Sequence, residues 1–454
     1  MSKRFAVLTS TWGSEYTKHI ISGIMERVGD DDIELHIFNA YDSGKETDYF
    51  SKGREIYALP DPECYDGMIV SLSTVGSAKY AGDITAKFHD HGKPVIGLDT
   101  HIENALFCGL DNYSSMYKLV DHMITIHDCR TLNYLGGPED NPENMERYRA
   151  FCDCLASHGI NVQKRRVLHK RYWKADGSTA YNEWKEAGVD MTDAVICAND
   201  YMALGYVQEA IKDGISVPDY LKVTGFDNID EAQTYSPSIT SVNRNWKQLG
   251  FDSMDMLLEA VNGNTEFDTR FVQGYISYNE SCGCDLTREI REDYNEVVKD
   301  TRKVLGVDLK HSYARQELFK CHSADEYINA LVSCRELLEF EDAAVCINGS
   351  FFEGKPDMHR TGYDDKMIMY SEDGREEICP NKTGFPEKWR EKERVFIFSS
   401  LRNSYQTYGY LVMPYRSDLF ARFKHRKFIE SLSLSLENLN LRIALKKQQN
   451  CLEK

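Results

Sequence analysis

The chain has 454 residues, too many for one ordinary domain, and this length predicts two or three domains. Acidic residues outnumber basic ones by 72 to 54, and the formal charge of −18 makes the surface repel nucleic acid and anionic lipid. No segment approaches the roughly 20 apolar residues that span a bilayer, and the first residues show no apolar signal-peptide core. The composition therefore predicts a cytoplasmic globular protein that has no contact with a membrane.

The first 280 residues alternate between short apolar runs and helical stretches, a pattern typical of parallel sheets buried on both faces. About nine such units occur, whereas four or five fill one doubly wound sheet, so we expect two similar α/β lobes. The predicted strands cover residues 5–8, 33–38, 67–70, 94–98, 106–109, 131–135, 166–168, 194–197 and 222–226. The predicted helices cover residues 20–28, 48–59, 78–91, 113–127, 142–158, 176–187 and 201–213.

Polar, charged and aromatic side chains follow these strands at their carboxyl ends. Ligands of open α/β sheets bind at this edge. Carboxylates and arginines form charge-assisted hydrogen bonds, and aromatic rings stack on the apolar face of a sugar or a base. We therefore expect a small polyhydroxylated ligand. The candidate side chains are Trp12, Tyr16, Ser71, Ser73 and Asp99 in the first half and Arg147, Asn199 and Asp227 in the second.

Several motifs resemble those of the lac repressor/GalR family. Residues 195–205, which read VICANDYMALG, are similar to the family's AND-x-MA-x-G motif, and residues 217–228 are similar to its VP-x-D-V-x-V-x-GFD segment. Gly-Gly-Pro at 136–138 with Arg147 resembles its GGP…R block, and residues 109–112 resemble its V-x-x-DN. The motifs occur in the family's order along residues 4–280.

The resemblance implies a two-lobed, periplasmic-binding-protein-like α/β domain of type I over residues 1–285. One lobe would comprise about 1–110 plus 245–275 and the other 111–242, with the ligand between them. Carried over by motif, the implied ligand contacts come from Asp99, Arg147, Asn199 and Asp227, with aromatic rings from Trp173 and Trp246.

Each candidate also has a purely structural interpretation. Asp200 is expected to cap the helix that begins at Tyr201. Asn199 would then be an ordinary loop residue, and an arginine–aspartate pair that includes Arg147 would only tie loops together. Trp12 is equally compatible with a pocket and with the surface.

Members of the family begin with a DNA-binding helix-turn-helix, but the first predicted strand of this chain starts at residue 5. The net charge is acidic as well. We therefore expect that the chain does not bind DNA directly.

The pattern changes after residue 285. A charged amphipathic helix predicts a linker over 286–310, and residues 311–420 mix helix with strands in an order typical of a smaller α+β domain, which resembles a GAF-like domain. Its predicted strands are 343–347, 366–370, 394–398 and 408–413.

The last segment, 421–454, predicts a signalling helix. Its apolar seam has the 3-4 spacing that favours a parallel two-stranded coiled coil, and hence a homodimer. The alternative is a helix packed on its own domain, because Leu434 and Leu441 widen the stripe. The seam consists of Ile429, Leu432, Leu436, Leu439 and Ile443.

Thirteen scattered cysteines lack the density of a secreted disulfide framework, so we expect reduced thiols. Two close pairs stand out, Cys152/Cys154 and Cys282/Cys284. Neither has a second pair or a histidine at zinc-finger spacing, so no metal site is expected.

We find no hydrolase, nucleotide-binding or zinc-protease motif, so we expect neither an enzyme nor a cofactor. The domain order resembles the input half of GGDEF signalling proteins, although no GGDEF motif occurs. The sequence therefore predicts a sensor that closes on a small polar molecule, a sugar or nucleoside, and signals through the linker to an output domain, a diguanylate cyclase that these 454 residues do not contain. The alternatives are a transcription regulator that acts through a partner and a carbohydrate-processing enzyme.

Overall fold

The structure is a computed structural model. It describes residues 2–9, 15–40, 52–71, 77–99, 101–189, 192–264, 268–284, 310, 312–334, 342–353, 362–371, 373–380, 384–416 and 424–452. Trp12, Ser73 and the linker predicted for 286–310, apart from residue 310, lie outside these ranges. Within them, no helix has the length and apolar character needed to cross a bilayer.

The chain forms two compact units. The first unit contains an eleven-stranded sheet and the second a six-stranded sheet. Three chain segments, Met1–Gly109, Lys247–Arg270 and Glu292–Lys454, make up the first unit, and two, Leu110–Trp246 and Phe271–Arg291, make up the second.

The sheet of the first unit begins with the apolar run Lys3–Thr9 (β1). This strand pairs in parallel with β2 (Ile33–Asn39) and β3 (Gly67–Ser71). All residues of β2 and β3 are buried, as expected for parallel strands covered on both faces. The sheet continues on the β3 side through β4 (Val95–Leu98), β5 (Leu106–Leu110) and β11 (Thr269–Val272).

On the β2 side, the same sheet continues into the C-terminal part of the chain. β16 (Val395–Arg402) pairs in parallel with β2, and the rings of Phe38 and Phe398 stack at 4.8 Å. The remaining strands follow in antiparallel order: β17 (Thr407–Pro414), β13 (Ala344–Asn348), β14 (Met367–Ser371) and β15 (Gly374–Ile378).

This arrangement corrects the expectation of a separate domain over 311–420. The strands predicted there do form, but they extend the sheet of the first unit. The physical reason is that a buried parallel strand such as β2 leaves a row of backbone N–H and C=O groups at its outer edge, and β16 satisfies them.

The sheet of the second unit contains five parallel strands and one antiparallel edge strand. Its core includes the fully buried Tyr134, Phe151 and Trp184. In spatial order the strands are β12 (Tyr275–Ser277), β10 (Thr240–Asn243), β9 (Lys222–Asp227), β8 (Ala194–Cys197), β6 (Leu132–Gly136) and β7 (Val167–His169).

The helices follow the predicted alternation. In the stretch predicted at 48–59, residues 52–54 are helical and Glu55–Ala58 forms a 3₁₀ turn. The helices are α1 (Glu15–Val28), α2 (Ser77–Asp90), α3 (Asn112–Thr125), α4 (Pro142–Ser157), α5 (Lys174–Glu186), α6 (Asp200–Lys212), α7 (Asp230–Thr234), α8 (Trp246–Val261), α9 (312–320), α10 (Ala324–Ser333) and α11 (Lys424–Leu452).

The final helix packs on its own unit. The hydroxyl of Tyr327 in α10 lies 2.8 Å from that of Ser435, and the backbone N–H of Arg402 in β16 donates to the hydroxyl of Ser433. The predicted seam over residues 429–439 is thus buried inside the chain, which favours the alternative of a helix packed on its own domain, and the coiled coil is not confirmed. The buried seam side chains are Ile429, Leu432, Leu436 and Leu439.

Candidate functional site

Five parallel strands of the second unit end at one edge of their sheet, and the residues that follow them form the candidate site. Because the carboxyl ends of parallel strands meet at one edge, residues distant in sequence are brought together there. The positions at this edge are Gly137 after β6, Tyr172 and Trp173 after β7, Ala198 and Asn199 after β8, Asp227 at the end of β9 and Arg244 after β10.

Arg147 on α4 is the central cation of this edge. Only 2% of the residue is exposed, and its guanidinium carbon lies 3.8 Å from the centre of the Phe226 ring. Its Nε donates to Asn112 Oδ1 at 2.8 Å, and its Nη1 donates to the carbonyl of Ala198 at 2.7 Å. A third bond runs from Nη2 to Glu143 Oε2 at 2.9 Å, so protein acceptors take three of the five N–H donors of a guanidinium.

A second arginine, Arg244, joins the two carboxylates of the site. It donates from Nη2 to Glu143 Oε1 at 3.0 Å and from Nη1 to Glu143 Oε2 at 3.3 Å. Its Nη1 also lies 3.6 Å from Asp227 Oδ1. Burial opposes the ionisation of Glu143, but Arg244 and Arg147 outweigh it and lower the pKa of that carboxyl. Glu143 is therefore a carboxylate at neutral pH.

The backbone is strained beside these charges. Asp227 has φ 107° and Tyr172 has φ 71°, both in the left-handed region that side chains other than glycine rarely adopt. Such conformations cost about 1–3 kcal/mol each and cluster at ligand sites. Burial raises the pKa of Asp227 against the opposing effect of Arg244 and Arg147, and it raises the pKa of Tyr172 to about 12.

Asn199 and Asp200 have structural roles. The Asn199 amide caps α6 by accepting from the N–H of Met202, and it donates to the carbonyl of Tyr172. Asp200, expected to be the cap, is instead the first residue of the helix, and its buried carboxylate accepts from the Ser241 hydroxyl at 2.6 Å. Burial and the neighbouring Asp227 raise its pKa.

The two predicted tryptophans of the second unit differ in exposure. Trp173 lies at the carboxyl edge of the sheet and is 65% exposed. Trp246 is the first residue of α8 and is half-buried. Trp173 therefore offers a ring face at this edge.

The first unit holds the remaining predicted residues. The Ser71 hydroxyl at the end of β3 donates to the Tyr16 hydroxyl at 3.2 Å. Asp99, directly after β4, is half-buried and has φ 52°. All three lie at or beside carboxyl ends of strands in their own sheet, as the sequence predicts.

Sequence reasoning missed Glu143, Arg244 and Tyr172. Arg244 carried a usable signal, since it directly follows β10, a strand that was not predicted. Glu143 is an acidic residue in the first turn of α4. Acidic residues are common at this position because they interact favourably with the helix dipole, so the sequence does not mark Glu143 as a site residue.

This edge, with its charges and rings at the carboxyl ends of parallel strands, is characteristic of a ligand-binding α/β domain. Residues 120–282 match the family described as "Periplasmic binding protein-like domain". A regulatory protein of the LacI family from Chloroflexus aggregans has a similar fold, with a TM-score of 0.52 and 15% identity over 62% of this chain and 99% of that chain. The two-lobed, periplasmic-binding-protein-like α/β fold predicted for this part of the chain is thereby confirmed.

Two transcription regulators are also similar to this chain, one in sequence and one in fold. The HTH-type transcriptional regulator MalR of Clostridium butyricum is 30% identical over 181 residues, which cover 38% of this chain and 52% of MalR. A complex of the transcriptional regulator CelR with cellobiose has a TM-score of 0.50 and 18% identity over 62% of this chain and 86% of that chain. The chain spans about half the length of the curated relatives it matches. These relatives are transcription regulators, which agrees with the expectation that the chain is not an enzyme.

Proposed function

We propose that this chain is the ligand-binding part of a transcription regulator and that it binds a small polyhydroxylated molecule, a sugar, at the carboxyl edge of the second unit's sheet. The observation that carries the proposal is an array of two carboxylates and two guanidiniums, in which Glu143 and Arg147 on α4 meet Asp227 and Arg244 at neighbouring strand ends. The strained backbone of Asp227, with φ 107°, supports a ligand role, because strained backbone conformations cluster at ligand-binding sites.

The chemistry of this array suits hydroxyl groups. Arg244 Nη1 lies 3.6 Å from Asp227 Oδ1, so a charged donor and a charged acceptor stand side by side at this edge. A ligand hydroxyl accepts from the guanidinium and donates to the carboxylate, whereas an apolar ligand would leave both groups without water. The exposed ring of Trp173 provides the flat apolar surface on which a sugar ring stacks.

The transcription regulator is favoured over the sensor of a diguanylate cyclase. The descriptions of MalR and CelR both name transcription regulators, and CelR is described with cellobiose bound. The diguanylate cyclase output, closure of two lobes on the ligand, a homodimer and the lack of direct DNA contact stay predictions.

A thermal-shift screen of the full chain tests the proposal. Monosaccharides, disaccharides and nucleosides are added separately, and the melting temperature is recorded. At 100 times its dissociation constant, a ligand that binds only the folded state adds about 2.7 kcal/mol of stability. We expect a sugar to raise the melting temperature and to be recovered chemically unchanged.

The test variant is Trp173→Ala, and its matched control is Tyr220→Ala. Tyr220 is 80% exposed and precedes β9, at the opposite edge of the same sheet. The first substitution should reduce the ligand-induced shift, and the second should leave it unchanged. Absence of any stabilising sugar, conversion of the sugar to a product, or equal effects of the two variants would contradict the proposal.

A further inference from the structure

Four side chains that offer nitrogen or sulfur ligands meet away from the carboxyl edge of the second unit. His122 lies in the last turn of α3, and His127 follows shortly after that helix ends. Cys282 ends a short 3₁₀ turn near the end of the unit, and Cys284 follows after one glycine. His122 and Cys284 are 162 residues apart in sequence, so only the fold brings the two pairs together.

The distances between the four ligand atoms match a tetrahedral metal site. The two Nε2 atoms of His122 and His127 are 3.1 Å apart, and Cys284 Sγ lies 3.4 Å from each of them. Cys282 Sγ lies 3.9 Å from His122 Nε2, and all four atoms lie within 4.8 Å of one another. Tetrahedral Zn²⁺ with ordinary bond lengths spaces its nitrogens about 3.3 Å apart and a nitrogen and sulfur about 3.5 Å apart.

The backbone around the cysteines is shaped to present both sulfurs to the same point. Gly283, between them, has φ 89°, a left-handed conformation that a side chain would disfavour. The hydroxyl oxygen of the fully buried Thr240 lies 3.0 Å from Cys282 Sγ. A hydroxyl in this position stabilises a metal-bound thiolate, as outer-shell groups of metal sites do.

We infer that His122, His127, Cys282 and Cys284 bind a zinc ion in a closed structural site. Two imidazoles and two thiolates are a donor set that Zn²⁺ prefers, and four protein ligands leave no position for a substrate. The sequence analysis expected no metal here because it searched for histidines at zinc-finger spacing from the cysteines. The histidines instead precede the cysteines by more than 150 residues.

The position of the site indicates what the metal does. α3 is the first helix of the second unit, and Cys282 and Cys284 belong to the segment that ends it, Phe271–Arg291. A zinc ion bound to both therefore ties the beginning of this unit's chain to its end. Because the ligands are deprotonated thiolates and neutral imidazoles held by the fold, metal binding and folding of the unit are coupled.

Metal analysis of the full chain, purified without chelators, tests this inference. We expect about one zinc ion per chain by plasma mass spectrometry, and Co²⁺ substituted for zinc should give the visible absorption of a tetrahedral thiolate site. Removal of the metal with a strong chelator should lower the melting temperature, and added Zn²⁺ should restore it.

Cys284→Ser and His127→Asn should each reduce the retained zinc and abolish the cobalt spectrum. The control is Cys152→Ser, which removes a half-buried thiol elsewhere in the same unit. This variant should keep the bound zinc and the cobalt spectrum. Wild-type protein without stoichiometric zinc, or with Cys282 and Cys284 joined in a disulfide, would overturn the inference. Equal zinc content in Cys284→Ser and Cys152→Ser would overturn it as well. Sugar binding is measured separately, so failure of the zinc site is distinguishable from failure of the proposed function.

Discussion

Arg244 binds both carboxylate oxygens of Glu143, at 3.0 and 3.3 Å, although 101 residues separate the two in sequence. The same carboxylate accepts from Arg147, so one acidic side chain contacts two arginines. The Arg244 side chain is 12% exposed and the Glu143 side chain 26% exposed. This ion pair therefore stabilises the second unit and also fixes the guanidiniums that we assign to ligand binding.

Glu143→Gln should destabilise the second unit, because it leaves two partly desolvated guanidiniums with a weaker acceptor. We expect a loss of about 1–3 kcal/mol in the free energy of unfolding, measured by urea denaturation. Glu146→Gln is the matched control on the same helix, since its ion pair with Arg149 is exposed. That control should change stability by less than about 0.5 kcal/mol. Equal effects would contradict the assigned role of Glu143.

The stability of the first unit should depend on the ionisation of Glu34. Burial opposes its ionisation, but His36, Arg390 and Arg4 outweigh burial and lower its pKa from the ordinary 4.5 to about 2. A lowered carboxyl pKa gives stability that is complete above pH 4.5 and is lost as the pH falls toward 2. The shift corresponds to about 3 kcal/mol.

Urea denaturation at pH values from 7 to 2 measures this contribution. Glu34→Gln should flatten the decline of stability between pH 4.5 and 2 relative to the wild type. The control Glu387→Gln removes a more exposed carboxylate that also pairs with Arg390, and it should keep most of the decline. Parallel curves for Glu34→Gln and the wild type would show that Glu34 is not the responsible group.

Gly225→Ala should destabilise the second unit. A Cβ at this position would lie 2.0 Å from Asp200 Oδ1, and the buried Asp200 has little room to move. Overpacking of this kind costs about 1–3 kcal/mol, which a melting experiment detects. At Gly82 in α2 the added Cβ meets no atom within 4 Å, so Gly82→Ala should stabilise by roughly 0.5–1 kcal/mol. A neutral Gly225→Ala would contradict the close contact.

Leu436 and Leu441 test how the final helix packs. Leu436 is fully buried, whereas Leu441 is 57% exposed. Leu436→Ala should lower the free energy of unfolding by about 2–5 kcal/mol at every protein concentration, and Leu441→Ala should have little effect. If the seam instead formed a coiled coil between two chains, the effect of Leu436→Ala would depend on protein concentration.

The strands and helices of the first 280 residues were predictable because their burial produces continuous apolar runs, such as Ile33–Asn39, at regular intervals. The pairing of β16 with β2 was not predictable. An apolar strand buried on both faces looks the same in sequence whether its neighbour is 30 or 360 residues away. The final helix was ambiguous for a related reason, since a 3-4 seam serves equally against another helix or against a sheet.

Candidate site residues could be proposed from the sequence where a family motif marked them, as for Arg147 on α4 and Asp227 at the end of β9. Glu143 and the two histidines of the proposed zinc site carry no local signal, and the signal of Arg244 depended on β10, a strand that was not predicted. Their chemistry arises only when the fold joins segments 101 to 162 residues apart.

Isothermal titration of the full chain with the sugar that gives the largest thermal shift tests the central claim most directly. Asp227→Asn should weaken the affinity roughly 10–100-fold, because a charged hydrogen bond contributes about 1.5–3 kcal/mol. Asp219→Asn makes the same change before the amino end of the same strand, on an exposed residue, and should leave the affinity unchanged. Equal affinities for the wild type and Asp227→Asn would contradict ligand binding at the carboxyl edge of this sheet.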